Sequence, residues 1–418
     1  MSEKLLTRYI HEPAQVNLQT FVLRGGYQGA RRALCDLTPD QVIAEVDQSG
    51  LRGKGGAGFP AGFKWKAVPR DAPVKYVVVN ADESEPGTFK DRLLLEHDPH
   101  QLIEGILIAA YAIGAHKAFV YTRGEFFRAR EVLMRAMDEA AAYGYLGRHI
   151  LGTDFDLEIV VHAGAGAYIA GEESGLLESL EGKRAMPRLR PPYPAQKGLY
   201  GQPTLLNNVE TLCHVGHILR LGADGYKAHG MPALFSVSGH VARPGVYELP
   251  LGTPLREMIF EHAGGMHPAR RFKACFPGGS SSAILVEEHL DTPMDYDSLR
   301  KAGSMLGSAA VIVMDDTTCM VKVIARAVEF YRDESCGKCT PCREGTVWMS
   351  QVLERVLHGH GRTEDLDLMA GIAKGMTGTC LCPLGESVPP SLGNSLRYFR
   401  EEYEAHIRTG RCNVAVPA

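Results

Sequence analysis

The chain has no charge excess of either sign: 45 Lys and Arg face 49 Asp and Glu over 418 residues, a net charge of −4. That balance argues against nucleic acid as the main partner. Long apolar runs are also missing. The best stretch, Gly105–Ala115, is eleven uncharged residues between Glu104 and His116-Lys117, against the roughly 20 needed to cross a bilayer. Direct membrane insertion is therefore not expected. Met1–Gln15 carries charges and a proline without an apolar core, so it is no signal peptide, and disulfides are not expected in a chain that is not exported. There is no Walker-A sequence, which leaves NTP hydrolysis unsupported. Internal repeats and low-complexity segments are absent too. What remains is an ordinary globular composition with two surpluses. Glycine reaches 46 residues, well above the usual share of about 7%. The ten cysteines are too few for a disulfide scaffold and need a metal, redox or packing role.

The length suggests two to four domains. Thr38-Pro39-Asp40 opens a helix, with Thr38 as N-cap. Apolar, β-branched runs at 74–79, 117–122 and 157–161 read as buried strands. Helical patterns follow at about 98–112, 125–143 and 172–181. This alternation predicts an α/β fold with a parallel sheet wound on both faces over residues 1–231. Residues 182–203 read as a long ordered loop, which inside a domain is usually functional. Strands at 234–239, 245–249 and 310–314 with a short helix predict a small α+β domain over 232–318. Helical patterns at 320–334, 346–357, 365–374 and 390–407 predict a bundle over 319–418.

Half of the cysteines fall in one short window. Cys336, Cys339 and Cys342 form C-x-x-C-x-x-C, with Cys380 and Cys382 further on. Three thiolates at this spacing, with a remote fourth, suit an iron–sulfur cluster. Zinc more often takes two separated pairs, and unliganded thiols are the third option. The spacing does not choose between Cys380 and Cys382. The scattered Cys35, Cys213, Cys275, Cys319 and Cys412 read as small buried apolar residues.

The glycine surplus concentrates at 50–62. Gly53-Lys54-Gly55-Gly56-Ala57-Gly58 follows a helical segment rather than a strand, unlike a dinucleotide fingerprint. Bare backbone there can still approach a phosphate and offer N–H groups. Pro60 fits a helix start, and Arg52, Lys54 and Lys64 add positive charge. Two polar clusters follow strands: Asn80-Ala-Asp82-Glu83-Ser84-Glu85 and the segment Gly164–Glu173. Carboxylates and amides at strand ends suit ribityl or ribose hydroxyls. Helix capping is the alternative reading.

With these motifs the sequence resembles the flavin- and NADH-binding subunit of respiratory complex I. The resemblance runs over nearly the whole chain. It is carried by Gly53–Pro60, Asn80–Gly87, Gly166–Glu173, Asn207–Thr211 and Glu334–Gly345. It implies a Rossmann-like FMN domain, a ubiquitin-like domain and a helical bundle with a [4Fe–4S] cluster. FMN would lie on Gly53, Gly55, Gly56, Lys64, Asn80, Asp82, Glu83, Gly171, Glu172, Asn207, Asn208 and Thr211. NADH would meet Phe59, Glu85, Glu173, Arg190 and Tyr193. Phe59 and Tyr193 would flank the adenine, Arg190 would face the pyrophosphate, and Glu173 would hold the ribose and disfavour NADPH. Glu83 is the candidate catalytic group, tuning the flavin or relaying its proton. The cluster would sit on Cys336, Cys339, Cys342 and Cys382, the last identified by Cys382-Pro-Leu-Gly385.

The chain departs from the family at Ala170, where Cys is usual, at Tyr193 for Phe, at Arg190 for Lys, and at Ala67, where some members have an aromatic. The implied activity is NADH oxidation by hydride transfer to FMN, with single electrons passing to the cluster and on toward quinone. The implied partners are a thioredoxin-like [2Fe–2S] subunit and a large iron–sulfur subunit. The implied location is cytoplasmic, peripheral on the inner face of the cell membrane. Two other functions fit less of the sequence. One is the diaphorase subunit of a soluble NAD-linked hydrogenase or formate dehydrogenase. The other is a non-catalytic zinc-stabilised scaffold.

Overall fold

The β-branched run expected near residue 76 forms strand β1 (Tyr76–Ala81), whose Val77, Val78 and Val79 are fully buried. Strands β2 (Lys117–Thr122), β3 (Glu158–Ala163) and β4 (Thr204–Asn208) complete an all-parallel sheet of order β3-β2-β1-β4. Three of these strands were legible as apolar runs. The fourth was not, because Thr-Leu-Leu-Asn-Asn ends on two amides. In a computed structural model that describes residues 3–414, the sheet belongs to the first of two units. This unit comprises residues up to Ser84, Phe89–Leu234 and Glu248–Leu251.

The helices of the first unit are α1 (Pro39–Gln48), α2 (Ala61–Lys66), α3 (Lys90–His97), α4 (Pro99–Ile113), α5 (Phe127–Ala142), α6 (Glu173–Leu180) and α7 (Val209–Ala228). Thr38 caps α1 through the expected box: its Oγ1 accepts the Gln41 N–H, and Gln41 Oε1 accepts the Thr38 N–H at 2.8 Å. Helix α4 holds the most apolar segment of the chain. It is buried nearly all round and packs on α7. Its apolarity is that of a core helix, and among the described residues no helix is long and apolar enough to cross a membrane. Helix α7 was not anticipated. Its polar first turn carries no apolar period, and Gly222 breaks its helical geometry.

The second unit contains Glu85–Thr88, Phe235–Tyr247 and the chain from Gly252 onward. A five-stranded sheet has the order β6-β5-β9-β7-β8, from β5 (Ala233–Gly239), β6 (Gly245–Leu249), β7 (Phe272–Phe276), β8 (Leu285–Val286) and β9 (Ala310–Asp315). It is mixed, with β5 parallel to β9 and β7 antiparallel to both β8 and β9. Helices α8 (Met320–Asp333), α9 (Thr340–Leu357), α10 (Glu364–Met376) and α11 (Val388–Thr409) pack on one another in the same unit. Contact density thus gathers the expected middle and C-terminal segments into one unit. Residues 1–2 and 415–418 of the expected segments lie outside the described residues.

Candidate functional site

Strand order reverses at β1. The chain leaves β1 toward β2 and β3 on one side and returns to β4 on the other. In open α/β sheets, the crevice beyond the carboxyl ends of strands at such a switch point is where ligands bind. Two of the sequence-predicted clusters end there side by side. Val79 and Asn80 pair with Asn207 and Asn208 in register, so Asp82 and Glu83 leave one strand beside Asn207–Thr211 leaving the other.

The glycine loop docks on the same place. The Lys54 N–H donates to Thr211 Oγ1 at 2.8 Å, and Asn208 caps α7. A Cβ on Gly55 would lie 3.1 Å from Asn208 Cβ. Gly56 has φ +139°, which L side chains rarely adopt, and open space around it. Trp65, fully buried on α2, donates from Nε1 to Asn207 Oδ1 at 3.0 Å. Asn80 Nδ2 donates to the Gly171 carbonyl at 2.8 Å, and a Cβ on Gly171 would come 3.3 Å from the Asp82 carbonyl. Gly53–Gly58, Asn80–Glu83, Gly171–Glu173 and Asn207–Thr211 are therefore one constellation. The bare-backbone concavity at Gly55-Gly56 suits a phosphate. The surrounding amides and carboxylates suit a polyol and a ring, so the residues present fit FMN.

The basic residues of this region point elsewhere than expected. Lys54 Nζ is buried and donates to the Pro232 carbonyl at 3.1 Å; burial first, then its charged neighbours, bring it down to about 8. Arg52 Nε bonds the Gly58 carbonyl at 2.6 Å and so closes the loop on itself. Lys64 Nζ and Arg190 Nη1 both reach Glu173, at 2.8 and 2.9 Å. Burial alone would raise the Glu173 carboxyl, but Lys64 and Arg190 together hold it below its ordinary value. Glu172 turns its Oε2 to the N–H groups of Ser174 and Gly175, both at 2.9 Å, and so caps α6. For Glu172 the capping alternative and the binding one meet in a single residue.

Glu83 does similar work at α3. Its two carboxyl oxygens accept the Asp91 and Arg92 N–H groups at 2.7 and 3.0 Å. Burial, then Asp91, pushes Glu83 up to about 8 against the opposing pull of Lys90 and of those two donors. Beneath lies an ionic network the sequence did not announce. Lys90 Nζ, fully buried, bridges Asp91 Oδ1 at 2.9 Å and Glu210 Oε2 at 2.7 Å. Asp91 Oδ2 in turn accepts from Asn208 Nδ2 at 2.6 Å. Glu210, which burial would raise, is held down to about 2 by Lys90, with His214 and Lys54 assisting.

Of the residues expected at NADH, Phe59 and Tyr193 are both about half exposed. Phe59 meets Phe63 edge-on at 5.5 Å, a neighbour that sequence reasoning missed although it follows four residues later. Tyr193 starts the short helix Pro194–Lys197 inside the predicted loop. Glu85 belongs to the second unit, where its Oε1 accepts the Ser281 N–H at 2.8 Å.

The cysteine window also comes together. Cys339 is the N-cap of α9, and Gly337, at φ +78°, turns the loop before it. Cys342 Sγ lies 3.2 Å from Ser335 Oγ, and Cys382 starts the turn Pro383–Glu386. A Cβ on Gly385 would lie 2.5 Å from Cys380 Sγ and 3.0 Å from Cys342 Cβ. Only glycine lets the two cysteine segments meet there. Cys380 Sγ donates to the Met376 carbonyl at 3.5 Å, and burial, then the sulfurs of Cys339 and Cys342, pushes it up to about 12. An all-thiol donor set on a tight loop beside a second cysteine turn fits an iron–sulfur cluster. Of the scattered cysteines, Cys213, Cys275 and Cys319 are buried as expected. Cys35 is exposed, because the short helical turn Arg32–Asp36 faces it to solvent, and Cys412 is half-buried.

Comparison with known proteins follows the same division. Residues 46–217 match the Nuo51 FMN-binding domain. Residues 322–406 match the NADH-ubiquinone oxidoreductase-F iron-sulfur binding region, and 234–285 match an SLBB domain. An NADH-quinone oxidoreductase subunit of Rhizobium meliloti is 51% identical, with 99% of each chain covered. The NADH-quinone oxidoreductase subunit of the same name in Escherichia coli is 44% identical, covering 94% of this chain and 90% of its own. Among solved structures, an NAD+-reducing [NiFe]-hydrogenase in the H2-reduced state matches with a TM-score of 0.84 and 35% identity. That match covers 97% of this chain and only 66% of the hydrogenase chain.

Proposed function

The chain belongs to the family of NADH-quinone oxidoreductase subunits that carry the Nuo51 FMN-binding domain, and from that premise we propose how its residues divide the work of oxidising NADH. The chemistry supplied by bound FMN and a [4Fe–4S] cluster is hydride acceptance from NADH and one-electron relay; the protein supplies position and electrostatics. The Gly53–Gly58 backbone approaches the FMN phosphate. Asn80, Asp82, Asn207, Asn208 and Thr211 line the ribityl and ring side, with Gly171 and Glu172 opposite. Phe59, Arg190 and Tyr193 receive the dinucleotide, with Glu85 assigned to the nicotinamide amide. Lys64 and Arg190 are the cations that exchange Glu173 for ligand. Glu83 holds a proton on its carboxyl near neutrality and fixes the start of α3. Cys336, Cys339, Cys342 and Cys382 hold the cluster, and Cys380 stays a thiol bonded to Met376. Along the chain we assign residues 1–231, 232–318 and 319–418 to flavin, connecting and cluster segments.

The observation that carries this reading is the Lys54 N–H bond to Thr211, which brings the glycine loop onto the sheet's switch point. Anaerobic purification tests it: about one FMN and about four irons per chain, with NADH:ferricyanide activity, are expected. Zinc without flavin or activity would return the chain to a structural scaffold.

The electrons go on to quinone through a thioredoxin-like [2Fe–2S] subunit and a large iron–sulfur subunit, with the assembly on the inner face of the cell membrane. The likeness to the hydrogenase favours a second host, a soluble NAD-linked hydrogenase. Full-length similarity to the quinone-linked relatives weighs more. Identification of the co-purifying subunits decides between them.

A further inference from the structure

Two cysteines that the iron–sulfur reading leaves over stand together with a histidine. Cys319 Sγ, His406 Nε2 and Cys412 Sγ all lie within 4.8 Å of one another, and the Cys319–His406 pair is at 3.3 Å. Cys319 and His406 are buried and Cys412 is half-buried. Zinc binds thiolate sulfur at about 2.3 Å and imidazole nitrogen at about 2.0 Å in a tetrahedron, which puts its ligand atoms about 3.5–3.8 Å apart. The three side chains are within about 1 Å of that spacing.

Their placement is built by local structure. Cys319 is the N-cap of α8, and His406 lies in the last turn of α11. Glu402, one turn before His406, fixes the two helices together. Its Oε2 accepts the Met320 N–H at 2.8 Å and its Oε1 pairs with Lys273 Nζ at 2.5 Å. After Thr409 the chain reverses at Gly410, φ +67°, whose N–H returns to the His406 carbonyl at 2.9 Å. The Arg411 N–H bonds Thr409 Oγ1 at 3.3 Å. A Cβ on Gly359 would lie 2.7 Å from Gly410 Cα, so the turn is pressed onto the end of α9. This hook brings Cys412 back beside His406. Cys319 and Cys412 both lie outside the residues 322–406 that match the iron–sulfur region.

We propose that Cys319, His406 and Cys412 form a second metal site, for Zn2+, which clamps the segment after α11 to the start of α8. Two thiolates and an imidazole suit a borderline-soft divalent ion. The fourth position is left for water. The assignment stands independently of the flavin reading, because none of the three residues is in that site or among the cluster cysteines.

The test uses the full chain with its flavin and cluster, given Zn2+ anaerobically and desalted. Metal analysis should find about one zinc per chain. Zinc-edge X-ray absorption should show two sulfurs at about 2.3 Å and nitrogen or oxygen at about 2.0–2.1 Å. Cys412→Ser, on the half-buried member, should weaken zinc retention at least about tenfold while iron and FMN content stay unchanged. His406→Gln should do the same. Equal zinc in wild type and both variants would overturn the site. So would an all-sulfur shell, which places zinc on the cluster cysteines, or a Cys319–Cys412 disulfide in the anaerobic protein.

Discussion

Replacing Lys90 by Met tests whether the buried network beneath the flavin site is structural support for it. Lys90 is 1% exposed, and its two partners, Asp91 and Glu210, are 4% and 1% exposed. Methionine keeps most of the volume and removes the charge, leaving two buried carboxylates without their cation. Breaking a buried ion pair by removing one partner costs about 3–5 kcal/mol. For a unit of this size that is roughly 6–20 °C in unfolding temperature. Two units need not unfold together, so the probe should report on the first alone; release of FMN fluorescence on heating does so. The pH dependence carries a sign. In the wild type, Glu210 sits at about 2, below its unfolded value, so its contribution is complete at neutral pH and is lost only as pH falls from about 4.5 toward 2. In the variant both carboxyls are raised by uncompensated burial. The folded variant then takes up protons that the unfolded chain does not, and it gains stability as pH falls toward about 4.5. The deficit should therefore be largest near pH 8 and should narrow toward pH 5. Adding Glu210→Gln should recover part of the loss, because the two positions are coupled. A Lys90→Met protein that releases flavin within about 2 °C of wild type, or a deficit constant from pH 8 to 5, would refute the reasoning.

Three other outcomes follow from the same geometry. Glu173→Gln frees Lys64 and Arg190 from a shared carboxylate and removes a like charge from the ribose side. Such a contact costs about 4 kcal/mol at 4 Å and an effective dielectric of 20, so NADPH kcat/KM should rise about tenfold or more, and unchanged NADPH kinetics would count against the ribose assignment. Cys382→Ser should abolish the cluster's electron paramagnetic resonance signal, whereas Cys380→Ser should keep it; the reverse pair of results moves the fourth ligand to Cys380. Gly56→Ala, at φ +139°, should cost about 1–2 kcal/mol and lower the FMN content of purified protein, and full flavin occupancy would show that the loop tolerates a side chain.

The sequence made the site legible where chemistry and local structure require the same residues. The C-x-x-C-x-x-C loop must have its spacing to wrap one centre, and the glycine run must be bare to let backbone approach a phosphate; both were found before any fold was known. The valines of β1 betrayed their strand because burial on both faces demands an unbroken apolar run. Strand β4 and helix α7 escaped for the converse reason. Their first residues, Asn207, Asn208, Glu210 and Thr211, are polar because they serve the crevice, so the ligand's needs overwrite the apolar pattern that would announce the elements. Lys90 shows the limit most sharply. In sequence it is one cation in a charged stretch, Lys-Asp-Arg. Its role exists only because α3 packs against the start of α7 and places Glu210 within 2.7 Å. A contact between residues 120 positions apart leaves no periodic trace in one chain. The same holds for Cys319 and Cys412: each alone is an ordinary small side chain, and only the reversal at Gly410 turns them into a pair with His406. Residues that act through their own neighbours in sequence can be read from it. Residues that act through the fold become visible only when the fold brings their partners to them.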